Sequence, residues 1–307
     1  MPRLVRPTPA LSLAAAIALA GGAVALAACS GGDDGGGDEA RDVGRLETVA
    51  EDDDLAEAVD VAAAGDGVWV VTGDGTVLAV TGDRLAEVEG LDDVSAAAGV
   101  GASDDGTLFA TDPDRGSLVR YRDGRASAGE VPAVQELSAL TAAADGTVFV
   151  ADHDGLQVVS IGADGRIGEA VDDALAGPLS VAPDGTLYYV DDQVLGGRIV
   201  ALPPGGGPER LTQEVERDED GNPVEPPSEG AAAGDSYIEA RDLAATSDGV
   251  LVLTFTNEVW RIGEDERLEL VLRRGEGSAL VALGASGDDI YVLDAGTATL
   301  STIDAGG

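Results

Sequence analysis

Lysine is absent from this sequence, and cysteine and histidine occur once each among its 307 residues. A chain without lysine cannot contain the phosphate-binding sequence Gly-x-x-x-x-Gly-Lys, and no Gly-x-Ser-x-Gly nucleophile elbow occurs either. One cysteine cannot form an intramolecular disulfide or a thiolate metal site, and one histidine excludes most zinc sites. The sequence therefore lacks the motifs of nucleotide hydrolysis, of esterase-type catalysis and of most zinc-dependent catalysis.

Positive charge is also scarce. The chain has 18 basic residues, all arginine, against 58 Asp plus Glu, which gives a net charge of −40. Such a charge repels nucleic acid and anionic lipid headgroups, so we predict no nucleic-acid partner and no basic membrane-binding patch. Aromatic residues make up only 3% of the chain, which leaves few side chains for a carbohydrate-stacking platform.

The first 28 residues have the composition of an export signal. Arg3 and Arg6 form a basic start, and residues 10–28 form an apolar stretch that ends at the sole cysteine. The sequence Leu26-Ala27-Ala28-Cys29 resembles the bacterial lipobox, in which the cysteine is lipidated and becomes the mature N-terminus. We predict a lipoprotein signal peptide over residues 1–28 and an acylated, palmitate-bearing Cys29 that anchors the protein to the extracytoplasmic face of the cell membrane. The alternatives are an ordinary secretory signal and a transmembrane anchor, because an apolar run of this length can span a bilayer.

The residues after the cysteine favour a flexible tether. Residues 31–38 consist only of glycine and aspartate, so they have no apolar side chain to bury. We therefore predict that residues 29–44 comprise the lipidated cysteine and a flexible linker, and that the folded domain occupies residues 45–307.

A unit of about 40 residues recurs along that domain. It is marked by turns at Asp66-Gly67, Asp105-Gly106, Asp145-Gly146, Asp184-Gly185, Asp248-Gly249 and Asp288-Asp289. Successive turns are 39, 40, 39, 64 and 40 residues apart, so one gap carries an insertion. This period is typical of a β-propeller blade. We predict an all-β, six-bladed propeller over residues 45–307, with an acidic loop insertion at residues 216–240.

The third copy shows how one unit forms a blade of four strands. The strands are predicted at residues 140–144, 148–151, 157–161 and 166–170, with turn residues between them. The first strand is rich in alanine in most copies, which fits strands that converge on a propeller axis; helix is the alternative for such tracts. The last copy lacks a fourth strand, and residues 45–49 resemble the missing one. We therefore predict that the N-terminal strand completes the sixth blade.

Two of the copies carry a family resemblance. Residues 144–152 read Ala-Asp-Gly-Thr-Val-Phe-Val-Ala-Asp, and residues 183–191 read Pro-Asp-Gly-Thr-Leu-Tyr-Tyr-Val-Asp. Both segments resemble NHL repeats and the related SMP-30/gluconolactonase-like propellers. The resemblance implies a six-bladed propeller, but the related proteins include lactonases, antibiotic lyases, sensor domains and protein-binding scaffolds, so it implies no single activity. The first copy is also similar to PQQ-type repeats, which occur in propellers with more blades.

The mouth of the central channel is the first candidate site. Alignment of the copies on their turns places one polar residue per copy there, at Asp60, Ser95, Ser138, Ser180, Asp242 and Ser278. Two carboxylates, with Arg241 beside one of them, suit a small polar ligand or a calcium ion. The SMP-30-like lactonases hold their metal on acidic and amide side chains at such a mouth. This chain has only two asparagines, so the resemblance supplies no ligand set, and a water-filled channel with polar edges is the alternative.

Two further residues are candidates for ligand binding. His153 lies in a turn after the second strand of the third copy, and the resemblance to lyases implies that a histidine can act as a base. A lone histidine in an exposed turn is more often solvated. Tyr237 lies late in the insertion, which we predict to lie on the face where the first strands of the blades begin. The insertion either shapes a binding surface there or is a disordered acidic segment.

Repeated residues elsewhere favour structural roles. Aspartates end the second strands at Asp112, Asp152, Asp191 and Asp294, where they are either calcium ligands or, as we favour, caps of backbone N–H groups within each blade. Aromatic residues that follow the turns are predicted to pack between blades; they are Trp69, Phe109, Phe149, Tyr188 and Tyr291.

These observations lead to one leading hypothesis and one alternative. We predict a monomeric, non-catalytic, membrane-anchored module that binds an extracytoplasmic protein or a small ligand and carries no cofactor. The alternative is a metal-dependent hydrolase or lactonase of the SMP-30-like class, with calcium at Asp60 and Asp242.

Overall fold

The structure is a computed structural model, and it describes residues 44–91, 99–112, 115–131, 134, 137–191, 197–213, 227–287 and 289–304. The predicted signal peptide, Cys29 and the linker up to residue 43 lie outside the described residues. Within the described ranges, no helix combines the length and the apolar character needed to cross a bilayer.

The described chain forms six antiparallel sheets of four strands each. The first blade consists of β2 (Ala58–Ala64), β3 (Gly67–Thr72), β4 (Val77–Thr81) and β5 (Arg84–Glu87). The second consists of β6 (Val100–Ala102), β7 (Leu108–Asp112), β8 (Ser117–Arg122) and β9 (Arg125–Glu130). The third consists of β10 (Leu137–Ala142), β11 (Val148–Asp152), β12 (Gln157–Ile161) and β13 (Ile167–Asp172).

The other three blades repeat this arrangement. The fourth consists of β14 (Ala176–Val181), β15 (Leu187–Asp191), β16 (Arg198–Leu202) and β17 (Glu209–Arg210). The fifth consists of β18 (Ala240–Thr246), β19 (Gly249–Thr254), β20 (Glu258–Gly263) and β21 (Leu268–Arg273). The sixth consists of β22 (Leu280–Ser286), β23 (Asp289–Asp294), β24 (Thr299–Asp304) and β1 (Arg45–Glu51). Two short 3-10 helices occur at Asp53–Glu57 and Ala233–Asp235. The predicted six-bladed β-propeller is confirmed.

The first strand of each blade lies at the centre of the ring. These inner strands contact those of the neighbouring blades all the way round, and β22 of the sixth blade contacts β2 of the first. We call the end at which the inner strands begin the upper face, and the end that carries the Asp-Gly turns the lower face. The loops between the second and third strands also lie on the upper face.

The ring closes through its N-terminal strand. β1 pairs antiparallel with β24, with Leu46 opposite Ile303 and Ala50 opposite Leu300. Ala50 and Leu300 are buried in the same cluster between the sixth and first blades. The predicted closure is confirmed, and it gives β24 a hydrogen-bonded partner in place of an open sheet edge.

Local hydrogen bonds explain why the Asp-Gly turns recur. In the third blade, a carboxylate oxygen of Asp145 accepts the N–H of Thr147 at 2.8 Å, and Gly146 adopts a φ of 83°. In the fourth blade, Asp184 accepts the N–H of Thr186 at the same distance. The aspartate closes the turn, and glycine takes the left-handed conformation that other residues adopt at a cost.

Small residues occupy the inner strands because neighbouring strands approach closely there. A Cβ atom on Gly101 would lie 2.9 Å from the backbone nitrogen of Ala142 in the next blade, which is closer than real Cβ contacts. A Cβ atom on Gly284 would lie 3.3 Å from the carbonyl oxygen of Val61. The described alanine tracts are strands, as predicted, except that the strand of the third blade ends at Ala142 and residues 143–144 belong to the turn; residues 96–98 lie outside the described residues.

Aromatic side chains fill the spaces between blades, as predicted. Phe109 is 1% exposed and packs against Leu140 and Val148 of the following blade. The other four pack in the same way against the next blade; they are Trp69, Phe149, Tyr188 and Tyr291. Each apolar cluster is therefore shared by two blades, and together these clusters form a continuous core around the ring.

The insertion lies elsewhere than predicted. In its described part, the N–H of Gly230 donates to Leu268 O at 2.7 Å, and the N–H of Ala233 donates to Glu266 O at 2.7 Å. These bonds place the segment along the lower part of the outer edge of the fifth blade. The prediction that it lies on the upper face is wrong for residues 230–233, because the backbone groups of Glu266 and Leu268 at the lower end of the outer strand are open to pairing with this segment.

Candidate ligand-binding site

The inner strands enclose a central cavity of about 450 Å³. This volume lies within the range of small-molecule pockets in proteins. The lower part of the cavity is lined by small residues, among them Ala63, Ala142 and Ala245, whereas charged side chains lie in its upper part. The charged side chains that could bind a ligand therefore lie at the upper mouth of the channel.

A β-bulge near the start of the inner strand determines which side chains line that mouth. In the fifth blade, Ala240 pairs with Thr254 and Asp242 pairs with Leu253, so Arg241 has no cross-strand partner. The same irregularity occurs in four other blades, and the residues without a partner are Val59, Ser138, Gly177 with Pro178, and Val281. All of these residues line the cavity. In these five blades, the bulge turns the residues without a partner toward the mouth.

Asp60 and Asp242 occupy equivalent positions directly after their bulges. In Asp242, Oδ1 accepts the N–H of Leu243 at 2.8 Å and Oδ2 accepts the N–H of Leu283, in the sixth blade, at 2.6 Å. In Asp60, Oδ1 and Oδ2 accept the N–H groups of Val61 and of Val100, in the second blade, at 2.8 Å each. Each carboxyl group thus joins its own blade to the next one around the ring.

The environment of these two carboxyl groups favours their protonated forms. Burial is the largest cause and raises the pKa of Asp60 to about 8, with the nearby Asp242 charge adding to the increase. Burial likewise raises the pKa of Asp242 to about 7, although the N–H donors of Leu283 and Leu243 and the charge of Arg241 oppose it. Both pKa values rise because the two acidic groups are removed from water in one enclosed channel, where ionised carboxylates are unfavourable.

Arg241 is half-buried beside these carboxyl groups. Its guanidinium lies 5.8 Å from the centre of the Phe255 ring, which is within cation–π range. Burial lowers the pKa of Arg241 and the charge of Asp242 opposes that decrease, but an arginine keeps its charge at ordinary pH. Phe255 itself is 60% exposed on the upper face.

The other two candidate residues lie in different places. His153 lines the upper part of the cavity with its side chain 53% exposed, and Nδ1 lies 3.7 Å from a carboxylate oxygen of Asp154. Tyr237 is half-buried in the described part of the insertion, directly after Ser236, whose carbonyl oxygen accepts the N–H of Gln213, and it is not a lining residue of the channel. The structure therefore brings together four of the predicted ligand-binding residues and leaves Tyr237 apart.

The predicted polar ring is only partly right. Ser138 and Ser180 line the cavity, and the Oγ of Ser180 accepts the N–H of Ala245 in the fifth blade at 2.8 Å. Ser278 precedes β22 and does not line the cavity, and Ser95 lies outside the described residues. The predicted residues lie four to ten residues before their turn aspartates, because a polar residue was sought in each copy, and so Val59 and Val281 were missed. A constant offset of seven residues before the turn aspartate would have found them.

The strand-end aspartates act within their own blades. Asp152 accepts the N–H of Gly155 at 3.0 Å, and Oδ1 of Asp294 accepts the N–H groups of Ala279, Gly296 and Thr297. The interpretation as turn caps is confirmed for Asp152 and Asp294, and for Asp112, which accepts the N–H of Arg115 at 3.2 Å; Asp191 is bonded to the Arg198 guanidinium. Among the described residues, no three His, Cys, Asp or Glu side chains are grouped as a metal site.

No protein-family model matches this chain, and no curated protein matches it. Solved structures do match this chain. The chain is similar to virginiamycin B lyase from Staphylococcus aureus, with 12% identity, a TM-score of 0.57, and coverage of 84% of this chain and 98% of the lyase. A catalytically inactive histidine variant of that lyase, solved with quinupristin, gives 12% identity, a TM-score of 0.58 and the same coverage.

Two further structures extend the range of functions among its neighbours. A putative gluconolactonase has 16% identity and a TM-score of 0.53, over 85% of this chain and 89% of the lactonase. An auxiliary nutrient binding protein from Bacteroides thetaiotaomicron has 9% identity and a TM-score of 0.61, over 81% of this chain and 69% of that protein. At these identities, the similarity shows that this chain shares the β-propeller fold with enzymes and with a binding protein alike.

Proposed function

We propose that this protein is a lipid-anchored, extracytoplasmic binding module of the NHL/SMP-30-like type, and that its ligand enters the upper mouth of the channel. One observation carries the proposal. Each oxygen of Asp60 and Asp242 already accepts a backbone N–H, so the two acidic groups at the mouth hold blades together. The mouth then presents Arg241, His153 and exposed apolar side chains to a ligand.

A metal-dependent hydrolase is the second candidate, favoured by the fold shared with a putative gluconolactonase. Calcium takes six to eight oxygen ligands in proteins. The described mouth offers two carboxyl groups whose oxygens are engaged by backbone donors, and this donor set fits calcium poorly. The binding module is therefore the better supported proposal.

Photo-crosslinking on intact cells tests the binding proposal. A photoreactive amino acid replaces Val59 at the mouth, and the matched control replaces Ile167, which is similarly exposed outside the channel. We expect light-dependent adducts from position 59 that are absent from position 167, with their masses identifying the ligand or partner. Adducts from neither position, or equal adducts from both, would contradict binding at the mouth.

A thermal-shift measurement separates the two candidates. The full chain is melted with calcium and with a chelator, beside the double variant Asp60→Ala/Asp242→Ala. Calcium-dependent stabilisation of the wild type that disappears in the double variant would favour the hydrolase. For the binding module, we expect the same melting temperature in calcium and in chelator.

The anchor has a separate test. Cys29→Ala removes the predicted acylation site, so the protein should move from the membrane fraction to the soluble fraction. A variant that stays in the membrane fraction would point to the uncleaved apolar segment as the anchor.

A further inference from the structure

In the described part of the chain, Arg241 lacks a carboxylate partner, as Arg120 in the second blade also does, whereas two other half-buried arginines have one. Arg198 donates to Asp191 at 2.8 Å, and Arg273 donates to Glu258 at 2.7 Å. Among the described residues, the guanidinium of Arg241 has no hydrogen bond or ion pair at such a distance, and its described contact is the Phe255 ring. In a chain with 58 acidic residues, an arginine with free donors at a channel mouth is unusual. Its five N–H donors are available for an acceptor from outside the chain.

The neighbouring carboxyl group leaves Arg241 available. Both oxygens of Asp242 accept backbone N–H groups, at 2.8 Å and 2.6 Å, and hold that side chain in place along the strand. The bulge meanwhile directs Arg241 toward the cavity. The fold thus places the guanidinium of Arg241 at the mouth, while the carboxyl group of Asp242 is engaged by two backbone N–H donors.

Exposed apolar side chains lie on the same upper face, where Val59 lines the cavity and Phe255 contacts Arg241. Four large hydrophobic residues are exposed in the described chain, and three of them lie on the upper face: Val59, Leu156 and Phe255. Val59 is the bulge residue of the first blade, and the other two lie in loops that follow second strands. Exposed apolar groups beside a polar anchor are typical of binding sites for organic ligands.

Leu156, the third exposed residue of the upper face, lies in a turn that the blades share. It is 41% exposed and has a φ of 52°, in the left-handed region that leucine rarely adopts. The backbone around it is fixed, since the N–H of Ala174 donates to Leu156 O at 2.8 Å. The residue directly before the third strand also has a positive φ in four other blades, at Gly116, Gly197, Asn257 and Ala298, so this conformation belongs to the turn.

We propose that the upper mouth binds an amphipathic organic carboxylate, with the carboxylate on the guanidinium of Arg241 and the apolar part against Phe255 and Val59. Arginine binds carboxylates through two parallel N–H donors, which gives both affinity and orientation. This inference rests on the proposed function, because it names the ligand class of the same mouth.

Three probes of equal size and different charge test the ligand class. They are 3-phenylpropanoate, its neutral amide and 3-phenylpropylammonium, titrated calorimetrically into the full chain in lipid nanodiscs, with empty nanodiscs as the blank. We expect the carboxylate to bind at least about 10-fold more tightly than the amide, as a charge-assisted bidentate pair predicts. Equal binding of the three probes, preference for the ammonium ion, or no binding at millimolar concentration would each overturn the inference.

Variants assign the effect to Arg241. Arg241→Gln should lose about 10-fold or more in carboxylate affinity, and Arg241→Lys should lose less because it keeps the charge. Arg166→Gln is the matched control, since Arg166 is an exposed arginine in a turn on the lower face. Phe255→Ala removes an exposed ring and leaves the core intact, so it should weaken binding a few-fold without lowering the melting temperature. Unchanged carboxylate affinity in Arg241→Gln would overturn the assignment.

The crosslinking experiment separates failure of this inference from failure of the proposed function. Adducts from position 59 without carboxylate binding would leave the mouth as a binding site and reject the carboxylate as its ligand. If neither adducts from position 59 nor carboxylate binding were observed, the two proposals would be rejected together.

Discussion

Substitution of Asp242 by asparagine should change how the stability of the ring depends on pH. In the folded protein, burial raises the pKa of Asp242 above its ordinary value, and Asp60 behaves in the same way. The folded state therefore holds protons that the unfolded state has already lost. The contribution of these groups to stability is fully present at acidic pH, and it is lost as the pH rises through their folded-state pKa values.

The size of the effect follows from this linkage. One carboxyl group that is protonated only in the folded state lowers the free energy of unfolding by about 1.4 kcal/mol per pH unit. Because both side chains are only partly buried and are therefore screened by solvent, we expect a total loss on the order of 2 kcal/mol between pH 6 and pH 8. Asp242→Asn keeps one acceptor for the two backbone donors and loses the other, so it should be about 1 kcal/mol less stable than the wild type at pH 6.

Chemical denaturation at a series of pH values measures both effects. The Asp242→Asn curve should start below the wild-type curve at pH 6 and fall less steeply, so that the two converge toward pH 8. Asp83→Asn is the control for net charge, because Asp83 is an exposed residue in a turn of the first blade. Its curve should follow the wild type. A flat wild-type curve, or an Asp242→Asn curve parallel to it, would refute the reasoning.

Three further predictions concern the ring itself. Deletion of residues 45–51 removes the outer strand of the sixth blade and should abolish the cooperative thermal transition seen by circular dichroism; an unchanged melt would contradict the closure. Phe109→Ala should cost about 3–5 kcal/mol in denaturant unfolding, and a loss comparable to that of a surface substitution would show that the site between blades collapses. Gly101→Ala places a Cβ atom against the backbone of the third blade and should lower the melting temperature by several degrees, which differential scanning calorimetry would detect.

The fold was predictable from local sequence because each blade repeats the same short-range interactions. In turns such as those at Asp145 and Asp184, the aspartate side chain accepts a backbone N–H two residues on, so the signal lies entirely within a few consecutive residues. The closure was predictable because the last copy lacked an outer strand and residues 45–49 resembled one. Both inferences required only the count and the order of the strands.

The site was harder to predict because it depends on residues far apart in the chain. Asp60 and Asp242 were found as residues of the mouth, but their backbone donors in the next blade lie 40 and 41 residues away. A β-bulge arises from the pairing between two strands, so the sequence of one strand does not reveal it. The position of the insertion was missed for the same reason, since it follows from an unpaired edge on β21.

The bulges have a consequence for how this scaffold can change. The side chains of Val59, Ser138, Arg241 and Val281 have no counterpart on the adjacent strand, so exchanging them leaves the hydrogen-bonded ladders intact. The channel entrance can therefore acquire a new specificity one blade at a time, with the rest of the ring serving as an unchanging frame. A library randomised at these positions would be expected to yield folded proteins with altered ligand preferences.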